Sequence, residues 1–472
     1  MGNDTDNTAT AGATGATGLP AELVEWIEQT AGGTLTSAKR MAGGGRKQAW
    51  FVDITTPSGL QSLFLRWDPS SVSDSGDPWT VRREAEVYRA LNGCGLPVAA
   101  FVGMHPTAQA LLLTKLPGEA RFSAMRDEAL RNQVAADFIR HLAALHRLDP
   151  REVGLLPAGS EAQLPELVRL QLAEIDGIIA ARPATVDPVL RLALNWLHAN
   201  VPAATGPIVI VQGDTGPGNF MYQDGRVTAI VDWELAHLGD PMDDIAWVML
   251  RSLQDPFTDL SVRFAEYEAA SGIALDAGRI RYYRVLAEAK IMVMGHGVTL
   301  RGQTEGDGGG GDPGARLIFG QLHKRLCAEA LADVLGVTLP AATPLAQAEP
   351  TDDDVLFDIV LQQLRDVVSP RITDSLAAQR IKGLARALKY LAESGRHRAE
   401  VAAAELADLN QLLGSAHSEL PAARAALDDA IAAGEIDAVA ALPAIYRQLL
   451  RRNELLRSAS GSLADRHYGP IG

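Results

Sequence analysis

Three side chains suggest chemistry before anything else does: Asp214, Asn219 and Asp232. Asp214 ends the apolar run PIVIVQGD, Asn219 lies five residues on across TGPG, and Asp232 sits near the end of a second apolar run, VTAIVDW. A carboxylate at a strand end can accept or orient a hydroxyl proton. An amide oxygen and a second carboxylate can share a magnesium ion, which takes few protein ligands and completes its shell with water and phosphate. Phosphoryl transfer to a hydroxyl needs little more than this set and a cation for the nucleotide phosphates. Gly216, Pro217 and Gly218 let the loop turn tightly enough for Asp214 and Asn219 to face one site. Alone, Asp-x4-Asn also describes an ordinary strand-to-loop turn. The hairpin leading on to Asp232 makes the set specific.

Elements must place these residues, and the periodicity supplies them. Residues 1–18 are mostly Thr, Ala, Gly and Asn with little to bury, and read as disordered. A short helix is expected over Glu22–Thr30. From Leu35 the period becomes two: AWFVDI (49–54) and SLFLRW (62–67) read as strands joined through TPSGL, with FVGMH and ALLLTKL (110–116) as further strands. Between the pairs, DPWTVRREAEVYRALNGCG predicts a helix with Asp77 as cap, Pro78 at the first position and Gly93 at the end. Beyond residue 118 the pattern turns helical: Leu130, Val134, Phe138, Leu142 and Leu145 recur at three- and four-residue spacing. FMY, the turn QDGR and VTAIVDW read as a hairpin, and TEGDGGGGDPG (304–314) as a flexible loop between helices. A Pro/Ala linker at 338–352 precedes an all-helical segment, 353–472, whose apolar stripes (Leu356, Val360, Leu364 and Val367; Ile381, Leu384, Leu388 and Leu391), with a similar helix near 443–457, read as core of a bundle packed on itself or on the preceding lobe. The class is α+β: a small antiparallel sheet over 19–117, a mostly helical lobe over 118–337, and an all-α domain.

On VQGDTGPGNFMY and VDWELAHLGDPMDDIAW the chain resembles the aminoglycoside/choline-type small-molecule phosphotransferases, which have a bilobal protein-kinase-like fold. The resemblance spans roughly residues 30–335 and is closest over 205–250. It implies Asp214 as catalytic base, Asn219 and Asp232 as magnesium ligands, and ATP with a small-molecule hydroxyl as substrates. In the N-terminal lobe it implies MAGGGRK, with Gly43, Gly44 and Gly45, as a glycine-rich loop over the phosphates. Arg66 in FLRWDP stands where most of these enzymes carry a lysine, with Glu84 as its partner on the inward face of its helix beside Val81, Ala85 and Tyr88. Lys47 offers an alternative phosphate contact. The LRW segment also resembles a branch associated with acyl-CoA dehydrogenases, which raises hydroxy acids and hydroxyacyl-CoA as acceptors beside sugars and aminoglycoside-like compounds.

Other residues have supporting readings. Gln212 stands where the kinase pattern carries a histidine that steadies the loop; glutamine keeps donor and acceptor capacity but loses titration and ring packing. Glu234 fits a site contact or a position just behind it. Asp240, followed by Pro241 and Asp243, reads as a helix start, with Asp244 bracing the segment. His146, closing a helix at LHRLDP, reads as loop support.

Composition narrows the field. Net charge −15 over 472 residues argues against a nucleic-acid backbone as partner. No apolar run approaches the roughly 20 residues that span a bilayer. Two cysteines without partner spacing, Cys94 and Cys327, exclude a disulfide framework and suit a cytoplasmic setting. The C-terminal helices also suit self-association or protein docking. A pseudokinase-like nucleotide-binding scaffold is therefore the alternative, motivated by Gln212 and Arg66 and opposed by the complete Asp214, Asn219, Asp232 set.

Overall fold

The computed structural model describes residues 18–41, 47–69, 77–157, 159–182, 184–203, 206–297, 312–346, 349, 351–469 and 471. The expectations for residues 1–17, for Gly43, Gly44 and Gly45, and for 304–311 fall outside that set.

The N-terminal lobe comprises α1 (Ala21–Ala31), β1 (Thr34–Arg40), β2 (Gln48–Thr56), β3 (Gly59–Asp68), α2 (Val81–Ala90), β4 (Phe101–Met104) and β5 (Gln109–Thr114). The strands form one antiparallel sheet in the order β1-β2-β3-β5-β4. Alternation along β3 decides what each face receives. Leu63 and Leu65 point into a cluster with Leu23 and Ile27 of α1 and with Trp50, Val52 and Ile54 of β2. The intervening residues, Phe64 and Arg66, therefore face the other side, where α2 packs. A one-residue slip would send Arg66 into the apolar face.

Helix α2 starts later than its sequence suggests. Thr80, rather than Asp77, caps it by accepting from the Arg83 N–H at 3.1 Å. Asp77 instead accepts from Trp79 N–H. The later start puts Glu84 in the first turn, buried with Val81, Ala85 and Tyr88 as expected.

The second lobe contains α3 (Glu128–Arg147), α4 (Leu164–Ala181), α5 (Pro188–Ala199), β6 (Val209–Val211), β7 (Phe220–Gln223), β8 (Arg226–Ile230), β9 (His237–Gly239), α6 (Pro241–Gln254), α7 (Leu260–Ser271), α8 (Ala277–Met294) and α9 (Pro313–Leu335). The four strands make two antiparallel ladders, β6/β9 and β7/β8. The β7/β8 turn places Asp224 and Gly225 at φ 49° and 76°, the left-handed pair that tight hairpins require. Asp312 caps α9, so the last residues of the predicted loop already begin that helix.

After Thr351 the chain is helical: α10 (Asp352–Gln363), α11 (Ser375–Leu413), α12 (Leu420–Ala432) and α13 (Ala438–Ser460). Leu442, Ile445, Leu449 and Leu450 of α13 join the hydrophobic core of the second lobe, so these helices dock on it. The predicted stripes are not the means of docking. Leu356, Val360 and Val367 are 60%, 36% and 40% exposed, and Leu384 and Leu391 are 49% and 47% exposed. Periodicity located the apolar faces correctly but could not say that α13, instead, meets the core.

Candidate active site

Asp214 follows β6, and one carboxylate beneath it organises the loop. Asp244, fully buried in the first turn of α6, accepts from the backbone N–H groups of Gln212 and Gly213 at 2.9 Å each, and from the Thr215 hydroxyl. His146 Nε2 donates to the same carboxylate at 3.0 Å, while its Nδ1 lies 2.7 Å from the Tyr267 hydroxyl. His146 is thus the loop support its sequence position suggests, acting through Asp244. Asp240 caps α6 as expected, accepting from Met242 N–H, and pairs with Arg279 at 2.8 Å. Asp243 does not close a capping box; its carboxylate meets Lys290 and His237.

The glycine-rich turn is shaped by Arg251 of α6. Gly216 and Gly218 have φ of 140° and 96°, and a Cβ on either would lie 2.7 Å from Arg251 Cβ or 2.4 Å from Arg251 Nη2. Only glycine lets the backbone settle over this guanidinium. Arg251 Nε donates to Pro217 O at 3.1 Å, Nη2 approaches Asn219 Oδ1 at 3.5 Å, and Nη1 lies 3.7 Å from Asp214 Oδ1.

Asp214 and Asn219 converge directly, since Asn219 Nδ2 donates to Asp214 Oδ2 at 2.5 Å. The β7/β8 hairpin then returns the chain: Val231 N–H donates to Asn219 O at 3.0 Å, one residue before Asp232. Gln212 Nε2 fastens the same junction by donating to Val231 O at 2.7 Å. Asp232 takes φ 62°, a left-handed value uncommon outside glycine and costly unless the surroundings enforce it.

Arg66 reaches across from β3. Its Nη2 donates to Glu234 Oε2 at 2.9 Å and to Asp232 Oδ1 at 3.3 Å. The expected partner, Glu84, is present but looser: Nε and Oε2 are 3.5 Å apart, and neither atom has a hydrogen bond. Lys47 also donates to Glu234 Oε2, at 2.7 Å. Glu234 therefore holds both Lys47 and Arg66.

Four carboxylates and three cations share this region, and burial sets their ionisation. Burial, aided by the charges of Asp232 and Glu234, pushes Asp214 up to about 6 against the pull of Arg251 and Asn219. Burial and then Glu234 raise Asp232. Burial lifts Glu84 to about 7, outweighing Arg66. Glu234 is the exception: burial opposes its charge, but Lys47 and Arg66 hold it below the ordinary carboxylate range. Burial also works against the Arg66 charge, yet Glu84, Asp232 and Glu234 raise its pKa.

A model of the phosphotransferase enzyme family matches residues 37–288. The chain belongs to that family. The matched span contains Arg66, Glu84, Asp214, Asn219 and Asp232, and membership makes this chain a phosphotransferase of the small-molecule kinase type. Among curated proteins it is similar to acyl-CoA dehydrogenase family member 11 of Gallus gallus, 31% identical over 111 residues, 23% of this chain and 14% of that protein. It is also similar to acyl-CoA dehydrogenase family member 10 of Mus musculus, 24% identical over 208 residues, 40% of this chain and 18% of that protein. The matched stretches span less than a quarter of these relatives' own lengths. Similar solved structures include the macrolide 2′-phosphotransferase of Brachybacterium faecium, 21% identical over 66% of this chain and 97% of that one, TM-score 0.42. Another is an aminoglycoside phosphotransferase in a ternary complex with AMP-PNP and hygromycin B, 14% identical over 67% of this chain and 100% of that one, TM-score 0.47.

Two members of the site carried little or no sequence signal. Arg251 has no motif of its own and lies 37 residues beyond Asp214, on a helix whose orientation only the fold supplies. The sequence offers Lys47 as an alternative phosphate contact but carries no signal of its pairing with Glu234 across 187 residues. Among the described residues no helix is long and apolar enough to cross a membrane.

Proposed function

We propose that this chain transfers the γ-phosphoryl group of ATP to a hydroxyl of a small molecule, with magnesium. The observation that carries the reading is the convergence of Asp214, Asn219 and Asp232 beneath Arg66 and Lys47. Asp214 accepts the hydroxyl proton as the oxygen forms its bond to phosphorus and the bond from phosphorus to the bridging oxygen breaks, leaving ADP. Asn219 steadies Asp214 through its amide N–H. Arg66 and Lys47 provide the positive charge for the nucleotide phosphates, exchanging Glu234 for phosphate oxygens.

The donor set fits magnesium. Asn219 and Asp232 would hold the ion through an amide and a carboxylate oxygen, leaving its other positions to phosphate and water. Burial and Glu234 hold Asp232 above its ordinary pKa, a local shortage of positive charge that a divalent cation relieves. When bound, the metal neutralises charge on the phosphates.

Candidate acceptors are hydroxy acids, hydroxyacyl-CoA thioesters, sugars and aminoglycoside-like compounds. The likeness to acyl-CoA dehydrogenase family members favours testing the thioesters first. Full-length protein with Mg-ATP and a panel of these hydroxyl compounds would be followed by phosphorus NMR and mass spectrometry. A phosphorylated acceptor formed by the wild type and lost in Asp214→Ala supports the reading. No transfer to any acceptor, with nucleotide turnover unchanged by Asp214→Ala, removes it.

The exposed apolar stripes of α10 and α11 favour a second reading, a scaffold that binds nucleotide and recruits a partner through its C-terminal helices. Thermal stabilisation by ATP that requires magnesium separates the two. Its absence at millimolar nucleotide favours the scaffold.

A further inference from the structure

We propose that Tyr468, Glu288, His323 and Gln254 are positioning residues for the catalytic loop, acting through Arg251. The proposal rests on the phosphotransferase reading for its effect on turnover and on geometry alone for its effect on the loop.

A continuous hydrogen-bonded path runs from the C-terminal segment to Arg251, which stands beside Asp214. The Tyr468 hydroxyl donates to Glu288 Oε1 at 2.6 Å. His323 Nδ1–H donates to Glu288 Oε2 at 2.8 Å, and Gln254 Nε2 lies 2.9 Å from His323 Nε2. Arg251 Nη1 donates to Gln254 Oε1 at 3.0 Å and stands 3.7 Å from Asp214 Oδ1. Glu288 and His323 are 0% and 3% exposed, so water does not offer them substitute partners.

The direction of every link is forced. Arg251 only donates, so the Gln254 oxygen faces it and the Gln254 amide N–H faces His323 Nε2, which leaves the His323 proton on Nδ1. Arg251 is thereby held by Gln254 on one side and by Pro217 O and Asn219 Oδ1 on the other. Without the Gln254 oxygen, Nη1 is free to close its gap to Asp214, which draws the guanidinium away from the position in which it shapes the loop.

Buried polar groups ordinarily satisfy one another, and a path of this kind can be packing alone. What points further is where it starts. The segment carrying Tyr468 is clamped to the second lobe: Arg325, fully buried, donates to Arg466 O at 2.6 Å, and the Arg284 guanidinium lies 4.6 Å from the centre of the Tyr468 ring. Both cations come from helices of the second lobe, α9 and α8, which also carry His323 and Glu288. Docking of the C-terminal segment therefore completes a path that ends at Arg251, beside the proposed base.

The test uses the full chain with Tyr468→Phe, Gln254→Leu and the double variant. Hydrogen exchange is read on peptides covering residues 212–219, and kcat and KM for ATP are measured with whichever acceptor the screen identifies. Each single variant is expected to raise exchange in 212–219 and to leave the β2/β3 peptides unchanged. Each is expected to lower kcat about three- to tenfold, the scale of one lost hydrogen bond, with KM for ATP held within about twofold. The double variant should be no slower than the slower single one, because both break the same path. At His323, glutamine should restore turnover that leucine loses. Unchanged loop exchange in both single variants overturns the proposal, as does a double variant whose losses multiply. If the wild type phosphorylates nothing, the phosphotransferase reading falls, while the exchange measurement still decides the path.

Discussion

The side-chain amide of Gln212 donates to the carbonyl oxygen of Val231 at 2.7 Å, joining the loop that carries Asp214 to the residue preceding Asp232. The glutamine thus supplies a tether where the kinase pattern has a histidine. Gln212→His, which keeps a donor, should leave kcat within about tenfold. Gln212→Leu leaves a buried carbonyl without that partner and should cost about 1–3 kcal/mol of stability, with a larger loss of kcat. Urea unfolding beside the transfer assay checks both. A collapse of activity in Gln212→His with stability intact would show that the loop depends on something other than this tether.

Asp214→Asn should separate activity from stability. General-base catalysis contributes about 10²–10⁴-fold, so kcat should fall by that order. The Asp214 carboxyl is raised from 3.8 to about 6 in the folded chain. A raised carboxyl binds its proton more tightly when folded, so its stabilising contribution is full below pH 4 and is lost as pH rises through 6. Above pH 7 the neutral asparagine should make the metal-free protein more stable than wild type. A fifth of the Asp214 side chain meets solvent, so the gain is on the order of 2 kcal/mol. Melting curves from pH 4 to 8 read it directly, and a difference independent of pH would contradict the assignment.

Arg66 and Glu84 should differ in weight. Arg66→Met removes a cation bonded to Glu234 and Asp232 and should raise KM for ATP about tenfold or more. Glu84→Gln, at a contact of 3.5 Å without a hydrogen bond, should change it less than about threefold. Arg66→Lys keeps the charge but not the fork, and should fall between wild type and Arg66→Met. Equal effects of Glu84→Gln and Arg66→Met would mean that the two residues act as one bonded pair.

His146→Phe fills the space of the imidazole but leaves the buried Asp244 and Tyr267 each short of a partner. A loss of about 1–3 kcal/mol and a lower kcat are expected, with KM for the acceptor unchanged. A rise in acceptor KM alone would instead place His146 in contact with substrate.

The sequence alone determined the proposed chemistry-bearing set and most of the elements that carry it. Asp214, Asn219 and Asp232 were legible because strand–loop–hairpin geometry is local: turn residues and period-two alternation fix spacing over about twenty residues. Arg66 was legible from its place on a strand and Glu84 from its helix face. The start of α2 was not, because Asp77 and Thr80 are both competent caps and packing of Val81 and Tyr88 chose between them. Long-range pairing lay equally out of reach. Nothing near Glu234 signals that it gathers Lys47 and Arg66, and nothing near Tyr468 signals that its hydroxyl meets Glu288. Those partners are brought together by lobe and helix packing, which depends on which apolar faces meet. The stripe at Leu356 and Val360 shows the limit plainly: periodicity gave the face, but only the tertiary structure left it in solvent and sent α13 to the core.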